Sequence, residues 1–268
     1  MLQEIRDFCW PLSIALLGLW AVQIIRFRLA KRYSALLAYL VTAFLLGGGG
    51  YIAERFLDAR WLGHSFYFWY WAASQPVLWL LLFAVVFECF SRMTESYQGL
   101  RRLGRLVVLG LAGGVVTVIG LVVILDPFEN PNPRFWNSVL LIQQQSVYFA
   151  TAGSVMLLLA IRRFFNIPVA RNLRTTMGVL GVYFISVAAM TAIRSYVGYV
   201  SRELDIAVDV AGLVIYCACV LFGAAVFSRG GEDVASDPRI SADSADALRS
   251  ASGRLQEVNA HLLKAVAK

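Results

Sequence analysis

Seven long apolar segments, separated by short polar connections, run along the chain at roughly 10–26, 34–56, 66–90, 104–125, 136–161, 175–198 and 205–228. About 20 apolar residues in a helix cross the hydrocarbon core of a bilayer. Every segment approaches or exceeds that length, and the connections leave no room for a folded domain between them. The pattern predicts an all-α membrane protein, with residues 1–228 forming a seven-transmembrane helix bundle.

The charges between the segments predict its orientation. The start, MLQEIRDF, sets Glu4 and Asp7 against Arg6, so it lacks the positive region of a signal peptide. The positives follow the first segment instead: Arg26, Arg28, Lys31 and Arg32. The third connection carries Arg92, Arg101, Arg102 and Arg105, and the fifth carries Arg162, Arg163, Arg171 and Arg174. The alternate connections are mixed or acidic, with Glu54, Arg55, Asp58 and Arg60, then Asp126, Glu129 and Arg134, then Arg202, Glu203 and Asp205. Basic loops stay cytoplasmic, which predicts an N-terminus outside, a C-terminus inside, and a multi-pass protein of the inner (cytoplasmic) membrane. Aromatics agree. FYFWYW at 66–71 opens the third segment, and Trp10, Trp61, Trp136, Tyr196 and Tyr199 fall at the same outer level, where amphipathic rings anchor at headgroups.

After Phe227 the apolar pattern stops. Residues 229–240, beginning RGGEDVASDPR, read as a flexible polar linker, and 241–268 as a cytoplasmic amphipathic or coiled-coil helix. Leu248, Leu255 and Leu262 are spaced by heptads, with Ala251, Val258 and Ala265 between them. Gly253 weakens that helix by about 1 kcal/mol relative to alanine. The expected partners are membrane lipid and, through this helix, a cytoplasmic protein or a second copy of the chain.

Composition narrows the chemistry. Hydrophobic residues make up 59% of the 268, and charged residues only 15%, which excludes an ordinary soluble domain. The net charge of +7 is accounted for by the cytoplasmic loops, and no loop joins a basic stripe to stacking aromatics, so no nucleic acid is expected. The only histidines are His64 and His261, and no lysine falls inside a segment. A bis-histidine haem and a retinal Schiff base are thereby excluded, and no metal-hydrolase motif occurs. Cys9, Cys89, Cys217 and Cys219 suggest no disulfide framework. No cofactor and no enzymatic activity are expected.

Polar groups inside a bilayer are costly and therefore informative. Placed on the predicted topology, they gather in the outer half: Glu54, Trp71, Gln75, Gln143, Gln144, Gln145, Arg194 and Asp209 are the candidate ligand-binding residues. The three consecutive glutamines cover about 200° of a helix surface at 100° per residue, so at least one faces the bundle. Arg194 and Asp209 lie near the outer ends of consecutive helices, where a buried guanidinium and a carboxylate each need a partner. Glu88 and Arg92, four apart near the inner end, are expected to pair. Pro76 should kink the third helix beside Gln75. Gly47–Gly50 should let a neighbouring backbone approach closely.

Residues 67–105 combine an aromatic opening at Tyr67–Trp71, Glu88 ahead of a basic inner end, and a closing L-R-x-L-G-R at Leu100–Arg105. In these features the chain resembles an uncharacterised family of bacterial seven-helix integral membrane proteins, frequent in Acidobacteria. The resemblance implies the seven-helix topology and no particular activity. A looser likeness is to the seven-helix sensor modules that precede some histidine kinases. No phosphoacceptor box or ATP-binding segment follows here, so that likeness implies a receptor-like plan without a kinase. The expected function is a sensory or receptor-like protein that binds a small ligand in an outward-facing polar cavity and relays to a cytoplasmic partner. The alternatives are a small-molecule transporter, which needs the polar path to continue inward, and a structural or accessory subunit of a membrane complex.

Overall fold

The computed structural model describes residues 2–57, 60–61, 64–95, 133–165, 167, 169–197 and 202–232, with isolated positions elsewhere. They form six long helices: α1 (Leu2–Arg26), α2 (Ser34–Phe56), α3 (Phe66–Met93), α4 (Pro133–Phe165), α5 (Arg171–Val197) and α6 (Arg202–Val226). A 3-10 turn at Arg229–Glu232 follows, and two antiparallel two-residue strands, Arg60–Trp61 and His64–Ser65, join α2 to α3. All six helices are long and apolar enough to cross a membrane. The apolar segment 104–125, the helix expected at 241–268, the linker beyond Glu232 and the side chain of Arg194 lie outside the described residues.

α1, α3 and α4 outrun the apolar segments that predict them, because polar ends continue the helix; α2 coincides with its segment, and α5 and α6 start a few residues early and end one or two short. α1 closes without a glycine. Arg28 takes the left-handed conformation at φ 58°, Leu29 N–H reaches back to Ile24 O, and Arg28 N–H to Ile25 O, each at 2.9 Å. This is a Schellman closure, with buried Ile24 and Leu29 supplying its apolar contact.

Packing closes the helices into a ring: α1 lies against α2 and α6, α2 against α3, α3 against α4, α4 against α5, and α5 against α6. At one end, called here the Trp10 end, α1, α3, α4 and α6 begin. At the other, the Tyr33 end, α2 and α5 begin, with Glu88 of α3 bound to the first turn of α2 and Asn172 of α5 bound to Ser228 beyond α6. α3 and α4 therefore run parallel. Val22, Leu45, Leu80, Phe149, Val182 and Phe222 stand exposed on the flanks, as required of surfaces that meet lipid.

The four glycines of α2 do something other than bring two backbones together. Tyr70 of α3 lies in the groove that the missing side chains leave, and its hydroxyl donates to Leu46 O at 3.1 Å. A Cβ on Gly49 would overlap that hydroxyl, whereas one on Gly48 would meet nothing. A tyrosine edge fills the space because its hydroxyl also satisfies a carbonyl. Gly49→Ala is expected to cost about 1–3 kcal/mol by overpacking, with Gly48→Ala neutral or slightly stabilising. Thermal unfolding of the two variants in detergent checks the contrast.

Candidate functional site: a cleft at the Trp10 end and a polar clasp at the Tyr33 end

A cleft opens between the helices at the Trp10 end, in two adjoining compartments of about 340 and 500 Å³. Both lie within the roughly 300–1,000 Å³ of small-molecule sites. They share Trp10, Tyr67, Gln144, Tyr148, Tyr183 and Tyr216 as walls. The larger reaches the mouth at Arg6, Thr191 and Asp209. The smaller runs down α3 past Trp71, Ser74 and Gln75 to Trp79 and Leu82.

The polar groups of the cleft are largely held in place. Ser13 Oγ and Ser74 Oγ donate to the carbonyls of Trp10 and Trp71, at 2.6 and 2.8 Å. Gln144 Nε2 donates to Tyr148 Oη at 2.9 Å, which leaves that phenol proton available for donation. Tyr39 and Tyr216 both line the smaller compartment. The indole N–H of Trp79, on the cleft wall, has no acceptor among the described residues. Below Trp79 and Leu82 the described residues at the centre pack closely. Trp20, Ile24, Leu36, Val86, Met177, Val220 and Ala224 are each at most 3% exposed.

The residues singled out from the sequence separate here. Trp71, Gln75 and Gln144 line the cleft, and Asp209 lines its mouth. Gln143 is buried but not on the cleft wall, and Gln145 is half-buried outside it. Glu54 does not line the cleft either: its Oε1 accepts from Arg6 Nη2 at 2.9 Å, and the neighbouring Arg55–Asp7 pair closes at 3.2 Å. These pairs tie the start of α1 to the end of α2, and at their exposure each contributes about 0–1 kcal/mol. The Arg194–Asp209 pair cannot be placed, because the Arg194 side chain is outside the described residues. Sequence reasoning missed Tyr39, Tyr148, Tyr183 and Tyr216. Their signal was depth: a tyrosine in mid-span must direct its hydroxyl at a partner or a cavity, and cannot serve as a headgroup anchor.

The Tyr33 end carries a second polar constellation. Glu88 does not pair with Arg92. Its Oε1 accepts from Ser34 Oγ and Ala35 N–H, and its Oε2 from Leu36 N–H, all at 3.2 Å. The first turn of α2 has amide hydrogens without intrahelical acceptors, and a carboxylate there also meets the positive end of the helix dipole. Arg92 instead lies over the Tyr33 ring, 4.2 Å from its centroid. Beside this, Asn172, fully buried, donates through Nδ2 to Ser228 O and Glu232 Oε1 at 2.7 Å each, and accepts at Oδ1 from Ser228 N–H at 3.2 Å. Glu232 Oε2 faces Arg32 Nη1 at 3.1 Å. Gly231 fits against Asn172 so closely that a Cβ would overlap the amide. Phe227 wedges between Trp20 and Tyr33, edge to face with both. Residues 229–232, where the sequence reading begins a flexible linker, are thus clasped to the bundle by α5 and the α1–α2 loop.

Tyr33 is 1% exposed. Burial first, and then the Glu232 carboxylate beside it, push its hydroxyl well above the usual tyrosine range, with Arg92 opposing. The hydroxyl nevertheless has no aligned hydrogen-bond partner among the described residues. The unfolded state therefore ionises first as pH rises past about 10. The folded state then binds more protons, so stability is full below that pH and declines above it. Tyr33→Phe should change stability by less than about 1 kcal/mol at pH 7, since it removes an unaligned buried hydroxyl. It should also flatten the alkaline decline. Paired unfolding curves at neutral and strongly alkaline pH measure both.

Among the described residues no three His, Cys, Asp or Glu side chains gather as a metal site. The four cysteines are buried and unpaired, and Cys217 Sγ contacts Cys9 O at 3.4 Å. No family model, curated protein or solved structure matches the chain, so the functional reading stands on the cleft and the clasp. The class of protein these features define is a multi-pass helical membrane protein.

Proposed function

We propose that this is a receptor-like protein of the inner membrane, with seven spans, which binds a small ligand in the cleft at the Trp10 end and relays occupancy through the clasp to whatever follows Glu232. The single observation that carries the reading is the asymmetry of the bundle. A cleft walled by aromatic and amide side chains opens at one end, a packed apolar floor closes it, and the chain leaves the other end through a polar clasp. A transporter needs a continuous path, and among the described residues that floor offers none. The parallel course of α3 and α4 supports the count of seven: the chain leaves α3 at the Tyr33 end and enters α4 at the Trp10 end, so it crosses once between them, and the apolar segment 104–125 is suited to that crossing. The positive-inside pattern sets the Trp10 end outside.

The relay can be tested without knowing the ligand. A bulky thiol reagent on Ser74→Cys would fill the cleft, while a spin-label pair at Lys31 and Arg229, both exposed, reports on the clasp. We expect filling to shift or broaden the label distance distribution. An unchanged distribution would sink the relay.

A further inference from the structure

We propose that the ligand of the cleft is an organic ammonium cation, a substituted amine or quaternary nitrogen carried on a small apolar body. The proposal rests on reading the cleft as a binding site, and goes beyond that reading by naming the chemistry of its occupant. Six tyrosines and three tryptophans line the cleft; Trp10, Tyr67, Tyr70 and Trp71 belong to the outer aromatic level, but Tyr39, Trp79, Tyr148, Tyr183 and Tyr216 lie deeper, where anchoring at headgroups does not require them. The face of each such ring is electron-rich, and a cation within about 6 Å of the centroid is attracted to it, more strongly where water is excluded.

The charges at the mouth point the same way. Among the described lining residues only Arg6 and Asp209 are charged. The Arg6 guanidinium is already bound to Glu54. Tyr67, Arg6 and Asp209 line the same compartment. An anion entering here must displace Glu54 from Arg6 and pass Asp209. A cation needs no such exchange, and the rings of Tyr67, Tyr148, Tyr183 and Tyr216 line the space it enters. No lysine or histidine lines the described walls to repel it. The Met190 thioether at the mouth adds a polarisable contact of the same kind.

The test uses the full chain in detergent or nanodiscs, with choline as probe and 3,3-dimethylbutanol as its uncharged isostere. Tryptophan fluorescence and thermal shift are the readouts. Choline should bind at millimolar or lower concentration, and the isostere about ten-fold more weakly. Asp209→Asn, at an exposed position, should weaken choline, and so should added salt. Tyr67→Phe keeps the ring and should bind within about two-fold of the parent, whereas Tyr67→Leu should lose most of the affinity. Equal binding of choline and its isostere would overturn the cation assignment while leaving the cleft a binding site for neutral ligands. Binding of neither overturns the assignment as well. In that case, reaction of Ser74→Cys with an external thiol reagent tells an open cleft of other specificity from one that admits nothing.

Discussion

Replacing Glu88 with alanine is expected to lower stability by about 3 kcal/mol, among the largest effects of any single surface-proximal carboxylate in this fold. Three donors at the start of α2 depend on it: Ser34 Oγ and the amides of Ala35 and Leu36. Hydrogen bonds to an ionised acceptor contribute about 1.5–3 kcal/mol each in favourable cases, and donors left unsatisfied when the acceptor is removed add their own cost. The 3.2 Å lengths keep these three at the low end of that range. Loss of the helix-dipole interaction adds about 0.3–1 kcal/mol. Glu88→Gln keeps one carbonyl oxygen and should cost roughly half as much. Reversible unfolding in mild detergent measures the series, and a Glu88→Ala variant as stable as the parent would show that water replaces the carboxylate without penalty. The result also separates this arrangement from an Arg92 pair. Arg92→Ala should then act through Tyr33 stacking, at about 0.5–2 kcal/mol, and add to Glu88→Ala with little coupling.

The second large effect is expected at Asn172. Its amide makes three hydrogen bonds to Ser228 and Glu232 in a fully buried position. Asn172→Ala leaves the Ser228 amide, the Ser228 carbonyl and a Glu232 oxygen short of partners, at a total cost of about 2–4 kcal/mol. The damage should be local: residues 228–232 should become open to protease while the six helices stay folded, because the clasp touches mainly the first turn of α5 and the α1–α2 loop. Asn172→Asp should be worse than alanine. It sets a carboxylate against Glu232 Oε1 and removes both donors. Gly231→Ala should reproduce the protease sensitivity by steric means, since its Cβ overlaps the same amide. Limited proteolysis with mass mapping reads all three variants. Equal resistance of parent and Asn172→Ala would mean that Phe227 packing alone holds this segment.

The parts of the molecule that the sequence made legible are those governed by local periodicity and depth. Six of the seven expected spans are present as helices because length and apolarity alone decide them. Trp71, Gln75 and Gln144 were reachable by counting turns down from the outer ends, and Asp209 by the same count. Glu54 sits at a suitable depth but points at Arg6, a partner 48 residues away that no spacing rule indicates. Glu88 looked paired with Arg92 because four residues bring two side chains onto one helix face. The tertiary neighbour prevails there: unsatisfied amides on α2 need an acceptor more than Arg92 does, and Arg92 has the Tyr33 ring. The clasp was invisible because Arg32, Asn172, Ser228 and Glu232 are ordinary polar residues scattered over the α1–α2 loop, the first turn of α5 and the segment after α6. The mid-span tyrosines were overlooked because tyrosine in membranes is read first as an interfacial residue. Gly47–Gly50 signalled close approach correctly in kind but not in partner, since a tyrosine edge, with a hydroxyl to satisfy Leu46 O, can occupy the same groove as a backbone.

Two-sided cysteine accessibility tests the central claim most directly: one cleft, open to the outside only, above a closed floor. The four native cysteines are buried and can be replaced by alanine. Single cysteines at Ser74 in the cleft, Val86 in the floor and Ser228 at the clasp are then exposed to an impermeant methanethiosulfonate, in intact cells and in inverted vesicles. Ser74→Cys should react only from outside, Val86→Cys from neither side, and Ser228→Cys only from the cytoplasmic side. Reaction of Ser74→Cys from both sides, or of Val86→Cys from either, would reveal a continuous path and contradict the receptor-like account in favour of transport.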